Sequence, residues 1–504
     1  MTLGSAGLTA CGTGSGVLPF IPAMSHNHFD LAAAARQEML DRGFEPDFSP
    51  QVQQQLAEIE DVPESGLRDL TSLDWSSIDN DDSKDLDQIE WAERTAEGFR
   101  VLVGVADVDS KVARATPIDA HARAATTSVY TGIRIFPMLP ERLSTDVTSL
   151  NENQNRAAVV IDMQIAADGT LGASNIYRAL VANRAQLTYN AVGAWLEGTG
   201  PMPPKLAARA DLAAQLKLQD EAAGALRDAR HRLGALVFDR LEPEPVIRNG
   251  KVEDIAARAA NRASHLIEDF MIAANEAMAR YLCGAGVSSI RRVVREPKLW
   301  GRIVELAAQY HSKLPAEPDA GALNAFLVSR KQADPVHYPD LSLTVLKLMG
   351  SGEYVLMRKG DDALGHFGLA AHDYTHSTAP NRRFADLVTQ RLVKALAAQR
   401  PAPYSDDELA AIARDCTFKE NAARKVNRDM QKRIAAVALA SRIGQIFSAV
   451  VTGVTPKGVF VRIVQPAAEG RLMRGEGGVK VGDRLSVSLL ATDPARAFID
   501  FARQ

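Results

Sequence analysis

An acidic segment set in an apolar stretch constrains this chain more than any other feature. Five aspartates fall within nine residues: Asp79, Asp81, Asp82, Asp85 and Asp87. Carboxylates this close repel one another unless a positive charge holds them, and Mg²⁺ is a hard cation that prefers oxygen ligands. Ile78 before the segment and Ile89 after it favour a buried metal site. A solvated surface loop explains the same run of aspartates equally well.

The length and the cysteines limit the class of protein. At 504 residues the chain is too long for one core, so several domains are expected. No apolar run approaches the roughly 20 residues that span a membrane. The three cysteines are scattered and indicate neither a disulfide framework nor a cysteine zinc site. A cytoplasmic monomer without membrane attachment is the expectation.

The N-terminal part divides into two segments. Residues 1–26 are predicted to be disordered because they are rich in glycine and serine, and Met24 is a second candidate initiator. Residues 27–65 are predicted to be helical, with good helix formers before Asp41-Arg-Gly43 and a second helix opening at Ser49-Pro50. A helix-turn-helix module and a plain helical hairpin packed on the main domain both fit this pattern.

Charge is unevenly distributed along the chain. Residues 418–504 carry 15 Lys and Arg against 7 Asp and Glu, a balance of +8, whereas the whole chain carries −4. The remainder therefore carries −4 − 8 = −12. An acidic body with a basic C-terminal part suits an enzyme that guides a polyanion to a metal site. A chance distribution of surface charge is the alternative.

Hydrophobic periodicity predicts an α+β multidomain protein, with a mixed sheet and helices over 66–440. Residues 100–107 and 157–165 are predicted strands, and 204–240, 263–280, 383–400 and 418–442 are predicted helices. Residues 441–504 are predicted to form a five-stranded OB-type barrel. Such barrels bind single strands by aromatic stacking, for which Phe447 and Phe460 are candidates. Either phenylalanine is also compatible with the barrel core.

A second motif lies between His366 and Leu387. Pro380 precedes Arg382 and Arg383 near the start of a predicted helix, where backbone N–H groups and guanidinium groups bind phosphate well. His372 and His376 are four residues apart but lack the glutamate of a zinc hydrolase, so ordinary structural histidines are favoured.

These segments together resemble the RNase II/RNase R family of RNB-domain exoribonucleases. The matching strings run from Ile78 to Asp87, from Pro137 to Ser144 and from His366 to Leu387. They keep the family's order and spacing over roughly 70–430, with the barrel after them.

The resemblance implies Mg²⁺, with Mn²⁺ as a substitute, held by Asp79, Asp85, Asp87 and the residue at the position of Gln88. Asp87, Asp85 and Arg382 are the implied catalytic residues, with Arg382 on the scissile phosphate. The implied RNA contacts are Tyr130, Arg383, Phe447 and Phe460. The implied reaction is processive 3′→5′ hydrolysis of single-stranded RNA to nucleoside 5′-monophosphates, and a 3′-overhang on structured RNA is a further candidate substrate.

Two positions depart from the family pattern. Gln88 stands where the family has a fourth aspartate, and Asn427 stands where it has a glutamate. Asp81, Asp82, Asp107 and Asp109 are candidates to compensate for Gln88. The usual paired cold-shock domains have no counterpart here. A catalytically weakened RNA-binding regulator is therefore one alternative function, and a phosphodiesterase acting on small nucleotides or DNA is another.

Overall fold

The computed structural model describes residues 29–504, except 63, 64, 239, 240, 249, 250, 336, 363 and 464. Two N-terminal helices precede a large α+β body, and a closed barrel ends the chain. The predicted α+β multidomain class is thereby confirmed. The segment 1–26, predicted to be disordered, lies outside the described residues. None of the helices in the described part is long and apolar enough to cross a membrane.

The α-helices of the described residues are α1 (Leu31–Asp41), α2 (Pro50–Glu58), α3 (Pro117–Ala125), α4 (Tyr189–Leu196), α5 (Pro204–Ala207), α6 (Ala210–Arg232), α7 (Arg262–Gly284), α8 (Trp300–Gln309), α9 (Ala320–Ala333), α10 (Tyr338–Met349), α11 (Phe384–Ala397) and α12 (Asp406–Leu439). Short helical turns cover Val108–Ser110, Arg142–Val147, Phe367–Leu369 and Ala440–Arg442.

The strands of the body are β1 (Arg68–Asp69), β2 (Trp75–Asp79), β3 (Gln88–Arg94), β4 (Gly98–Ala106), β5 (Val129–Tyr130), β6 (Ile135–Phe136), β7 (Asn155–Ala166), β8 (Leu171–Thr188), β9 (Leu241–Arg248), β10 (Lys251–Ala259), β11 (Ser289–Val293) and β12 (Glu353–Met357). The strands of the barrel are β13 (Ile446–Thr455), β14 (Gly458–Ile463), β15 (Ala468–Arg474), β16 (Arg484–Asp493) and β17 (Phe498–Arg503).

Six strands form the central sheet in the order β1-β8-β2-β3-β4-β7, and β7 also pairs with β8. Strand β4 is buried at nearly every position, as expected for a strand covered on both faces. Helices α6, α7 and α11 pack over the sheet, and Trp75 and Phe270 are fully buried in the shared core. This core fixes the ends of β2 and β3, between which the acidic segment lies.

The N-terminal helices pack on the body. Asp30 caps α1 by accepting from the Ala33 N–H at 2.9 Å, and Pro50 occupies the first turn of α2. Met39 and Phe44 contact the buried face of α12, while Val52 of α2 joins the main core. The structure agrees with the second alternative, helices packed on the main domain, because the apolar face of each is already buried against it.

Most predicted helices are found, with shifted ends. The predicted helices 263–280 and 383–400 correspond to α7 and α11, and 418–442 is the second half of α12. The prediction over 204–240 was too long, because the structure ends α6 at Arg232. The hairpin of β9 and β10 was not predicted.

The barrel closes in the order β13-β14-β15-β17-β16, which confirms the predicted five-stranded OB-type unit. Its core contains Val451, Val461, Leu472 and Phe501. Helix α12 leads directly into the barrel and packs against β16 and β17. One long helix therefore links the barrel to the body, and Arg462 of β14 also pairs with Asp340 of α10.

Candidate active site

The acidic segment folds as a loop between β2 and β3, and side-chain hydrogen bonds from Ser149 hold it in place. Leu86 is fully buried and Asp87 is 2% exposed. The Ser149 hydroxyl accepts from the Leu86 N–H at 3.0 Å and donates to the Lys84 carbonyl at 2.9 Å. Of the two readings of the aspartate run, the structure therefore supports a partly buried site, although Asp81 and Asp82 remain on the exposed side of the loop.

Asp87 meets the second motif directly. Its carboxylate accepts from Arg382 Nε at 3.0 Å and from the Asn381 backbone N–H at 3.1 Å. The Arg382 side chain is 43% exposed, so one edge of its guanidinium remains open to a ligand. An inner carboxylate thus orients an arginine that reaches outward, as a phosphate-binding arginine requires.

Three carboxylates, those of Asp79, Asp85 and Asp87, interact with the positive charge of Arg382. Burial raises the pKa of Asp87 to about 7, Arg382 opposes the rise, and the charge of Asp85 adds to it. Burial also raises the pKa of Asp79, against hydrogen bonds from Ser83 and the Asn80 N–H. When Asp79, Asp85 and Asp87 are ionised beside Arg382, the local charge is −3 + 1 = −2. A divalent cation would neutralise it.

The oxygen donors therefore suit Mg²⁺ in chemistry and in charge. Within residues 29–504, outside the nine undescribed positions, no three acidic, histidine or cysteine side chains already stand in a metal-binding arrangement. Asp87 is turned toward Arg382 instead. Holding a cation here requires the Asp87 carboxylate to share its oxygens between Arg382 and the metal.

Tyr130 lies beside the acidic loop. It belongs to the two-stranded ribbon of β5 and β6, and its hydroxyl lies 3.4 Å from Asp85 Oδ2. The ribbon is tied to the second motif because the Ser128 N–H donates to the Arg382 carbonyl at 2.9 Å. The Tyr130 side chain is 38% exposed and is available for stacking.

Asn427 reaches the same ribbon from α12. Its Nδ2 donates to the backbone carbonyl of Tyr130 at 2.9 Å. An ionised glutamate has no proton to donate to a carbonyl. The amide of Asn427 therefore makes a contact between α12 and the backbone of Tyr130 that an ionised glutamate at this position would not make.

The other predicted site residues are placed differently. Gln88 is buried at the first position of β3. Arg383 turns inward and pairs with the buried Asp386 at 2.6 Å, which makes it ill placed for the predicted RNA contact. Phe447 is half-buried and packs against the barrel core, and its role in stacking stays a prediction. Phe460 is half-buried, opposite Arg471 on the next strand, and stays a candidate for stacking.

The candidates to compensate for Gln88 are mostly engaged elsewhere. Asp107 accepts from Lys394 at 2.6 Å and also pairs with Arg178. Asp109 pairs with Lys394 and with Arg391. The two histidines lie in different environments, because His376 is buried beside the Tyr354 hydroxyl at 2.7 Å, whereas His372 is exposed.

Sequence reasoning missed three residues behind the site. Asn381 supplies the backbone N–H to Asp87, and Ser149 pins the loop. Glu90 is fully buried on β3, and burial together with the charge of Asp79 holds its pKa well above the usual range. The alternation of β3 could have placed Glu90 beside the site, but no local pattern distinguishes it from an exposed glutamate.

The fold and the site together define an RNB-type body followed by an S1-type barrel. The family model of the RNB domain matches residues 67–399, and that of the RNase II-type exonuclease C-terminal S1 domain matches residues 445–504. The chain belongs to the RNB-domain family, which confirms the resemblance drawn from the sequence.

Two of the relatives are ribonucleases R. Ribonuclease R 1 of Lactococcus lactis is 31% identical over 418 residues, which are 80% of this chain and 50% of that protein. Ribonuclease R of Escherichia coli is 29% identical over 497 residues, 90% of this chain and 59% of that protein. The chain thus spans little more than half the length of these relatives.

A solved structure shares the fold. RNase R of Mycoplasma genitalium, in complex with ribose-methylated single-stranded RNA, superposes with a TM-score of 0.85 at 23% identity, over 95% of this chain and 79% of that one. The same protein has been solved with double-stranded RNA.

We expect Mg²⁺ to raise the unfolding temperature more at about pH 8 than at about pH 6. With the pKa of Asp87 near 7 in the metal-free protein, most of this group carries a proton at the lower pH, and the proton must leave before a cation binds. Thermal unfolding with Mg²⁺ or EDTA measures the shift. Asp87→Asn should reduce its pH dependence, and an equal shift at both pH values in the native chain would count against this site.

Proposed function

We propose that this protein is a Mg²⁺-dependent, processive 3′→5′ exoribonuclease that hydrolyses single-stranded RNA to nucleoside 5′-monophosphates in RNA turnover. The observation that carries the proposal is the meeting of three distant segments at one place. Asp87 bonds to Arg382 across 295 positions, and Tyr130 stands beside Asp85. Cation binding, phosphate binding and base stacking are thereby available within one site.

Each group would contribute a defined step. Asp79, Asp85 and Asp87 would hold Mg²⁺, which when bound would supply the Lewis acidity that lowers the pKa of a water molecule. Arg382 binds a phosphate oxygen with a charge-assisted hydrogen bond while Asp87 holds the guanidinium in position. Tyr130 offers a ring on which a terminal base stacks, which fixes the strand in register.

The substrate assignment follows the family and the barrel. Closed five-stranded barrels of this type bind single strands. Because the related RNase R has been solved with both single- and double-stranded RNA, structured RNA with a 3′ overhang is proposed as a further substrate. Cytoplasmic location and a monomeric state stay predictions.

A catalytically weakened RNA-binding protein is the second candidate. It is favoured by Gln88, which replaces a charged ligand with a neutral one, and by the engagement of Asp87 with Arg382. Asn427 argues less strongly for it, because its amide makes a contact with the Tyr130 carbonyl that supports the site.

Hydrolysis of end-labelled RNA tests the proposal. With Mg²⁺, a 3′-labelled strand should release its label at once as a mononucleotide, and a 5′-labelled strand should go to a short end product without a ladder. EDTA should stop both reactions, and a matching DNA strand should remain intact. Intact RNA that is still bound by the protein would establish the regulator instead, and degraded DNA would favour a less selective phosphodiesterase.

A further inference from the structure

Helix α12 turns one face away from the body. Six side chains at spacings of three and four residues lie along this face: Arg414, Phe418, Asn421, Lys425, Arg428 and Lys432. We call them the outer strip. The other side of the helix buries Ala422, Val426 and Met430. At about 1.5 Å of rise for each residue, the strip is roughly 27 Å long.

The outer strip carries four positive charges and no acid. Arg414, Lys425 and Lys432 form no ion pair or side-chain hydrogen bond with any residue that the structure describes. Arg428 lies 3.9 Å from Asp429, which is itself held by Arg42 at 2.8 Å. Within the part of the chain that the structure describes, ion pairs therefore do not explain the alignment of these cations.

An exposed aromatic side chain stands among the cations. Phe418 is 69% exposed, more than any other phenylalanine in the described residues. A ring of this size on the surface of a helix leaves a large apolar area in water. A flat aromatic face beside cationic side chains is the combination that single-stranded nucleic acids use, with bases stacked and phosphates paired.

The C-terminal half of the strip lies beside the candidate active site, since Arg428 follows Asn427 at about 100° round the helix. On one flank, Asn427 bonds to the Tyr130 carbonyl at 2.9 Å, and Gly132 of the same ribbon lies close to Gln431. Toward the C-terminal end of the helix, Arg433 Nη1 donates to the Pro494 carbonyl of the barrel at 2.9 Å. A strand that leaves the Tyr130 ribbon would reach the strip at Arg428, from which Phe418 and Arg414 lie along the helix on the side away from the barrel.

We propose that the outer strip binds the part of a single-stranded RNA that lies 5′ of the nucleotides in the active site. Arg414, Lys425, Arg428 and Lys432 contact successive phosphates, and one base stacks on Phe418. The assignment rests on the proposed exoribonuclease function, since that function sets the direction of the strand. It also accounts for part of the excess of Lys and Arg in residues 418–504.

A nucleic acid fits this surface better than a protein partner. Protein interfaces have cores that are depleted in lysine and rich in apolar groups. The outer strip has four cations along one helix face and one aromatic ring, Phe418, a single turn from Arg414, which suits a polyanion with stacking bases.

The salt dependence of RNA binding tests the proposal. The strip variant replaces Arg414, Lys425, Arg428 and Lys432 with glutamine, and binding of a long oligouridine strand is measured in EDTA over a range of salt concentrations. The slope of log K against log salt concentration becomes less negative by about 0.7 for each lost phosphate contact. A total change of about 3 is therefore expected if all four contacts are made. Phe418→Leu, which keeps an apolar side chain but removes the ring, should weaken binding roughly five- to tenfold.

A matched control separates a local contact from a general change of charge. The control variant replaces Arg302, Lys313, Lys359 and Arg400, four exposed cations elsewhere on the surface, with glutamine. Equal salt slopes for the strip and control variants would overturn the proposal. A strand too short to reach past the active site should be hydrolysed by the strip variant at the native rate. If it is not, the effect lies in the active site and the proposal fails, whereas a native chain that hydrolyses no RNA refutes the proposed function itself.

Discussion

Replacing Asp87 with asparagine should lower the turnover of single-stranded RNA by about 10²–10³-fold or more, because it removes one charged ligand and the carboxylate that orients Arg382. The amide keeps an oxygen that can accept from the Asn381 N–H. RNA affinity should be unchanged or higher, since a negative charge near the phosphate is lost. Single-turnover rates and binding constants measured on the same strand distinguish these effects.

A measurement of stability and a variant at a neighbouring residue serve as controls for this experiment. The folded-state pKa of Asp87, about 7, lies above the ordinary value for an aspartate, so its ionisation costs stability as the pH rises from about 4 to 7. In EDTA at about pH 8, Asp87→Asn should therefore unfold at a temperature no lower than that of the native chain. Asp82→Asn, on the exposed side of the same loop, should hydrolyse RNA within about twofold of the native rate. A turnover for Asp87→Asn within tenfold of native would contradict the assigned role.

The sequence was most informative where local patterns are strong. The apolar stripe of α7 and the alternation of the barrel strands predicted those elements directly. The first half of α12 could have been found as well, since Ser405 and Glu408 form a capping box at its start. Strand β9 was hidden because Pro243 and Pro245 interrupt its sequence, and proline argues against a strand.

The site needed more than local patterns. The aspartate run predicted a buried metal site but left a solvated loop equally open. The burial of Leu86 and Asp87 shows that the end of the loop is not solvated, and metal binding stays a prediction. Asn427 and Tyr130 bond across 297 positions, and such pairing depends on the packing of α12 over the ribbon. Likewise, nothing in Arg382-Arg383 tells which arginine faces the ligand, because that is set by the first turn of α11.

Because the first turn of α11 directs the two arginines to different sides, their roles can be tested separately by experiment. Arg382→Lys keeps a positive charge but loses the Nε donor to Asp87 and the planar fork that grips phosphate, so we expect kcat to fall by about 10²-fold with little change in Tm. Arg383→Lys should do the opposite: it weakens the pair with the buried Asp386 and lowers Tm, while kcat stays near native. RNA hydrolysis and thermal unfolding of both variants provide the comparison. If Arg383→Lys lowered kcat as much as Arg382→Lys at an unchanged Tm, Arg383 would be the RNA contact predicted from the sequence, and its inward position would not describe the working enzyme.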